Sequence, residues 1–241
     1  MNTLPQIVFE DNHLIVAVKQ PGVLSQADGS DSPDMLTLLK QDIKIRYNKP
    51  GEVFLGLVHL LDQPVGGLMV FARTSKAASR LSQQVRDHQF AKIYLAVVQG
   101  RPIHDRGTLQ DNLLQDAATR QVRVVQAGSG QTASLDYYVI SQRPEINLAL
   151  LAIHLHTGRG HQIRVQLASR GWPVVNDYRY GSGAKNDRKA DIALMAAGLG
   201  FSHPISRQWM QFSSCPPQNE PWTAFPAVDY SDVFKYFTKP L

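Results

Sequence analysis

A carboxylate in a turn between two apolar runs is the first group in this sequence with the means to do chemistry. Asp62 lies within Val58-His59-Leu60-Leu61-Asp62-Gln63-Pro64-Val65-Gly66-Gly67-Leu68. Pro64 fixes φ and removes a backbone donor, while Gly66 and Gly67 permit positive φ or the close approach of another backbone, so the turn aims Asp62 in one direction. A lone carboxylate presented this way is a candidate reactive group, although an aspartate ahead of proline and glycine also serves ordinary turns by capping nearby amides. A second cluster is basic and polar. In Thr157-Gly158-Arg159-Gly160-His161-Gln162-Ile163-Arg164 a strand is expected to pass into a helix, gathering Arg159, His161, Gln162 and Arg164 where backbone amides favour an anion. The glycines fit neither a phosphate loop nor a dinucleotide fingerprint. His59, His154, His156, His161 and His203 have no zinc-site pairing with cysteines, so no metal site is expected.

The elements that must hold these groups follow from periodicity. Residues 53–58 and 68–72 are β-branched, aromatic and leucine-rich, the character of buried strands on either side of Asp62. Residues 7–9 and 14–18 predict an opening hairpin, and residues 36–47 a helix stopped by Lys49-Pro50-Gly51. Thr74 or Ser75 caps a second helix ending near His88, with Ala78, Leu81 and Val85 on one face. Residues 92–100 alternate as a strand that places Lys92, Tyr94 and Ala96 on one side, where Tyr94 suits packing as well as it suits a working role. Further strands are expected at 122–126, 135–141, 148–156, 192–201 and 209–212. Residues 105–120 read as a polar surface excursion, and 229–236 as a short terminal helix. Thr157 or the glycines would start the helix that carries Arg164, closed by Gly171. Antiparallel meanders fit this order better than βαβ crossovers.

Composition bounds the class. The chain has 241 residues, 43% hydrophobic and 19% charged, which are globular values and exclude disorder over the whole length. The single cysteine, Cys215, cannot form an internal disulfide and agrees with a reducing compartment. The start of the chain lacks the basic residues and apolar stretch of a signal peptide, and no apolar run reaches the ~18 residues of a membrane span. A cytoplasmic protein without membrane association is expected. The net charge of +5 suits a polyanionic partner.

Taken in order, these stretches resemble the RluA family of RNA pseudouridine synthases. Its His-Arg-Leu-Asp and Thr-Ser-Gly-Leu patterns are similar to His59-Leu60-Leu61-Asp62 and Val65-Gly66-Gly67-Leu68, and its Lys-x-Tyr strand to Lys92-Ile93-Tyr94. Thr157 to Arg164 resembles its Thr-Gly-Arg-Thr-His-Gln-Ile-Arg segment. Asp177 to Gly181 resembles its Asp-x-x-Tyr-Gly stretch. Leu199, Phe201, His203 and Pro204 fit a Leu-x-Phe-x-His-Pro pattern, and Lys19-Gln20-Pro21-Gly22 corresponds to its Lys-Pro-x-Gly region. The resemblance runs over residues 7–217. It implies an α+β fold: a mixed, mainly antiparallel bent sheet in two lobes with flanking helices and a central catalytic cleft. It also implies one catalytic domain over 1–241 without a separate N-terminal RNA-binding domain.

The implied reaction is isomerisation of uridine to pseudouridine in structured rRNA or tRNA, with no cofactor; a monomer is expected from the sequence itself, which has no long exposed heptad or edge pattern. Asp62 would be the essential carboxylate, either attacking the ribose or removing a proton from it. Arg164 would pair with it, and Tyr94 would stack on the uracil; His59, Leu60 and Leu194 would line the substrate site. Arg159, His161, Gln162, Arg179, Lys185 and Arg188 are candidate RNA contacts. The departures concern Leu60, which stands in place of arginine and offers an apolar wedge to a flipped base, Met195 in place of histidine, Gly160 in place of threonine, and Val65-Gly66 in place of Thr-Ser. They open a second reading, a non-catalytic RNA-binding or RNA-folding protein on the same scaffold. Retention of Asp62, Tyr94 and Arg164 together favours the enzyme.

Overall fold

The computed structural model describes residues 4–181 and 190–237. Among them are eleven strands and three α-helices. In chain order these are β1 (Gln6–Glu10), β2 (Leu14–Lys19), α1 (Met35–Arg46), β3 (Gly56–Leu57), β4 (Gly66–Ala72), α2 (Ser75–Arg86), β5 (Ala91–Gln99), β6 (Arg106–Gln115), β7 (Val122–Val125), β8 (Gln131–Arg143), β9 (Leu148–Leu155), α3 (Gln162–Ser169), β10 (Leu194–Ser202) and β11 (Trp209–Ser213). The chain divides into two compact units, one of Met1–Phe90 with Leu199–Ser214, the other of Ala91–Gly198 with Cys215–Leu241. Strand β10 contributes its two halves to different units.

In the first unit β2 pairs antiparallel with both β1 and β4, and β3 lies on β4. Strands β2 and β4 are buried throughout, which is why their sequences are continuous apolar runs rather than alternations. Leu14, Val16, Val18, Leu68 and Val70 pack with Ala77 and Leu81 of α2 and with Phe90 and Phe201. The Thr74 hydroxyl caps α2 by accepting from the Ala77 amide, and Asp34 caps α1 by accepting from Thr37. The hairpin turn is held by Asp11, whose Oδ1 accepts from the amides of His13 (2.7 Å) and Leu14 (2.8 Å), while Oδ2 meets His203 Nε2 at 2.9 Å. His203 of the His-Pro pair therefore clamps the opening hairpin.

Burial works to raise the pKa of Asp11, but the two amides and His203 outweigh it and hold the carboxyl below its ordinary range. A depressed carboxylate adds stability above its unfolded-state pKa and loses that stability as pH falls through the folded value. The difference in urea midpoint between the parent chain and Asp11→Asn is thus expected to be constant near neutral pH and to shrink below the ordinary value of 3.8. A difference that stays unchanged into acid would refute this role.

In the second unit β9 pairs antiparallel with β5 and β8, β8 with β6, and β6 with β7. The sequence reading of residues 105–120 as an excursion is corrected here: most of them form β6, with a turn after it. Leu109 and Leu113 point inward, but the residue between them on that face is Asp111, which accepts from Gln166 Nε2 (2.7 Å) and Arg170 Nη2 (2.9 Å). A satisfied inward carboxylate had broken the apolar alternation. The strand expected at 53–58 is only the two residues of β3, and the terminal helix is a 3-10 turn at Phe234–Phe237. No helix among the described residues is long and apolar enough to cross a membrane.

Candidate active site

Asp62 is half-buried in the loop that leads into β4. Its backbone carbonyl accepts from the Val65 amide at 3.0 Å, a main-chain bond that closes the turn. Residues 19–25 grip this loop from the side. The Gly22 amide donates to the Gln63 carbonyl (2.9 Å), Gln63 Nε2 donates to the Gly22 carbonyl (3.1 Å), and Ser25 Oγ both donates to the Leu61 carbonyl (2.9 Å) and accepts from the Leu61 amide (3.0 Å). Gly66 eases this approach, because a Cβ there would lie 3.0 Å from Pro21 Cδ, a tight contact.

Lys19 is at the centre of the grip. It is 0% exposed, and its ammonium donates to the carbonyls of Gln20 (3.2 Å), Val23 (2.5 Å) and Gln63 (2.9 Å). Burial pulls its pKa down to about 7, and the Asp62 carboxylate acts against that fall. Three N–H groups for three carbonyls leave no acceptor in the cage unmet. Lys19→Met strips those carbonyls of their donor and is expected to cost about 1–3 kcal/mol in chemical unfolding; a variant as stable as the parent would show that the cage does not hold the turn.

The neighbours of Asp62 have separate tasks. His59 Nε2 accepts from the Val70 amide at 3.2 Å, and its ring stands edge-on to Phe90, so the histidine ties the loop to the strand it feeds. Leu60 is 61% exposed, an apolar side chain held in solvent two residues before Asp62.

In the second unit Tyr94 lies on β5 at 9% exposure, paired across the ladder with Ile153. Lys92 is its neighbour on the same face, and burial lowers its pKa. Arg164 lies on α3 and is bound by Asp177: Nε donates to Oδ2 and Nη2 to Oδ1, both at 2.8 Å, with side-chain exposures of 2% and 0%. Asp177 Oδ1 also accepts from the amides of Arg179 (3.0 Å) and Tyr180 (3.2 Å), and the guanidinium lies 5.2 Å from the centre of the Tyr180 ring. This bidentate geometry fixes both the position and the rotation of Arg164. Asp177 and Lys19 are the two anchoring residues that the sequence reading did not single out; the signal was the Asp-x-x-Tyr-Gly and Lys-Gln-Pro-Gly stretches in which they sit.

The other named residues are distributed as follows. His161, in left-handed backbone (φ 53°), is the residue before α3, in place of the expected Thr157 or glycine start, and its side chain makes no capping bond to the helix. Thr157 is otherwise engaged, donating to Gln162 Oε1 (2.8 Å) and accepting from the Ser134 amide (2.9 Å). Nδ1 of His161 is hydrogen-bonded to the Tyr180 hydroxyl at 2.7 Å. Gln162 is buried, and its amide donates to the Ser134 carbonyl (3.1 Å) and Gln166 Oε1 (3.0 Å), which is an internal brace. Arg159 is half-buried and donates to the Thr132 carbonyl (3.1 Å); Arg179 is exposed. Leu194 and Met195 are buried at the start of β10. Lys185 and Arg188 lie outside the described residues.

The mostly antiparallel sheet with flanking helices defines the class: it is the pseudouridine synthase fold. The solved structure titled human RNA pseudouridylate synthase domain containing 4 aligns with a TM-score of 0.74 over 88% of this chain and 89% of that one, at 20% identity. The chain belongs to the RNA pseudouridylate synthase family, which matches residues 13–169. Among curated relatives, it is 34% identical to ribosomal large subunit pseudouridine synthase D of Zymomonas mobilis, over 89% of this chain and 70% of that one. It is 29% identical to the dual-specificity RNA pseudouridine synthase RluA of Pasteurella multocida, over 87% and 92% respectively.

Proposed function

We propose that this chain is a pseudouridine synthase of the RluA type that isomerises uridine in structured RNA, with Asp62 as the essential carboxylate. The observation that carries the reading is the caged Asp62 turn: a half-buried carboxylate on a loop closed and gripped through its main chain, with a buried lysine at the centre of the grip, is preorganised for a reaction. In the reaction the bond from the ribose to nitrogen 1 breaks, the uracil turns, and carbon 5 bonds to the ribose. The hydrogen on carbon 5 leaves as a proton and nitrogen 1 gains one, so the isomerisation balances without a redox partner. Asp62 attacks the ribose or takes a proton from it, Tyr94 stacks on the uracil, and Arg164, aligned by Asp177, contributes its guanidinium to the reaction.

A base inside structured RNA must first be extruded, at a cost of a few kcal/mol that is smaller in loops and bulges. Leu60 fills the space the base leaves, and Arg159, Arg179, Lys185 and Arg188 contact phosphates. The substrate is rRNA or tRNA and the enzyme acts as a monomer. The test is pseudouridine mapping across total RNA from cells with the gene, without it, and with only an Asp62→Ala copy. Sites lost in the last two establish the reaction and name the RNA. An unchanged map, with RNA binding retained by the purified protein, overturns the proposal in favour of a non-catalytic RNA-binding protein.

A further inference from the structure

Three side chains able to bind a metal converge on one face of the second unit's strands. Tyr94 pairs with Ile153, so the adjacent His154 and, two residues on, His156 project to the opposite face. Asp136 on β8 is the cross-strand partner of His154 and shares that face. One donor atom from each of the three lies within 4.8 Å of the other two. His156 Nε2 is 2.7 Å from Asp136 Oδ2, and the two imidazole centroids are 4.6 Å apart. The other oxygen of Asp136 accepts from Thr108 Oγ1 at 2.6 Å, a hydroxyl from the paired position on β6. The His154 ring also touches Phe237, 5.4 Å between centroids, while Gly198 admits Val233 and Phe234 beside Ile93, the β5 partner of His154. The C-terminal segment thus covers part of this face.

We propose that Asp136, His154 and His156 form a binding site for a divalent transition-metal ion, zinc by its donor set, with the ion taking the place of the proton shared between His156 and Asp136. Two imidazoles and one carboxylate suit zinc, whereas magnesium and calcium prefer oxygen ligands throughout. Zinc bonds of about 2.0–2.2 Å bring such donors within about 4 Å of one another, so small side-chain rotations complete the site and leave a fourth position for water. The Thr108 hydroxyl holds the carboxylate from behind, the outer contact that a metal-bound carboxylate uses. Burial, helped by His156 and opposed by Asp136, lowers the pKa of His154. The site faces away from Tyr94, so its ion ties β8 to β9 beneath Phe237 and takes no part in the uridine chemistry. Histidines without cysteine partners give no metal signal along the sequence; the His-x-His that runs off β9 becomes a ligand set only when β8 brings Asp136 beside it.

The experiment titrates the full chain, freed of metal with a chelator, with zinc chloride and separately with magnesium chloride in a calorimeter, followed by thermal unfolding. One zinc per chain and no magnesium are expected, with a rise of roughly 5 °C in Tm at saturating zinc. His156→Gln, at an exposed position, should remove both the binding and the Tm rise while keeping the circular dichroism of the parent. Thr108→Val should weaken binding by roughly 10–100-fold. Absence of zinc binding, or binding and a Tm rise that His156→Gln leaves intact, overturns the site.

Discussion

Asp62→Asn is expected to slow single-turnover pseudouridine formation by about 10⁴-fold or more, the scale on which loss of an essential nucleophile or base registers. RNA affinity should stay within about threefold, because the substitution removes a charge and leaves the shape. The turn survives on structural grounds: the Val65 amide donates to the backbone carbonyl of residue 62, and the loop is gripped through the main chain of Leu61 and Gln63, which the substitution leaves in place. Lys19 provides a second readout. Its pKa falls through burial and is propped up by Asp62, so in Asp62→Asn the ammonium should titrate lower than in the parent, a shift that NMR of the lysine side chain can follow. An Asp62→Asn enzyme that retains a large part of the parent rate would remove Asp62 from the chemistry.

Arg164→Met is expected to destabilise the fold by about 3–5 kcal/mol, the usual cost of leaving one member of a buried ion pair without its counter-charge. Asp177 is fully buried and receives both guanidinium bonds, and the two amides that remain, from Arg179 and Tyr180, do not neutralise it. The double variant Arg164→Met, Asp177→Leu should recover part of the loss, since it removes both charges, although it also releases those two amides. Urea unfolding of the parent, both singles and the double measures the coupling. Additive losses would show that the pair does not act as a unit.

Elements fixed by local partners are legible along the chain, and those fixed by distant partners are not. The strand that follows Asp62, the helix cap at Thr74 and the opening hairpin were legible because their signals are local: an apolar run, a capping hydroxyl, a polar turn. Strand β6 was not, since its inward Asp111 is explained only by Gln166 and Arg170, residues more than fifty positions away. Helix α3 does not start at Thr157, because the Thr157 hydroxyl is bonded to the Gln162 side chain and not to a helix amide. Among site residues, Asp62 announces itself by its turn. The cage around Lys19 and the fork of Asp177 are tertiary facts, and a lysine before Gln-Pro-Gly or an aspartate before Tyr does not declare what it will hold.

The contact between Pro21 and Gly66 links two departures that look separate along the chain. The family pattern that this sequence resembles has proline directly after the lysine and serine where Gly66 stands. Here proline is shifted by one residue, and a serine Cβ at 66 would press against its ring, 3.0 Å from Pro21 Cδ. The two positions are therefore coupled: any side chain at 66 has to be accommodated by the Pro21 ring, beside the turn that carries Asp62. A cycle of Gly66→Ser, Pro21→Ala and the double variant, read by urea unfolding, is expected to show coupling between the two positions, with the serine costing less when the ring at 21 is gone.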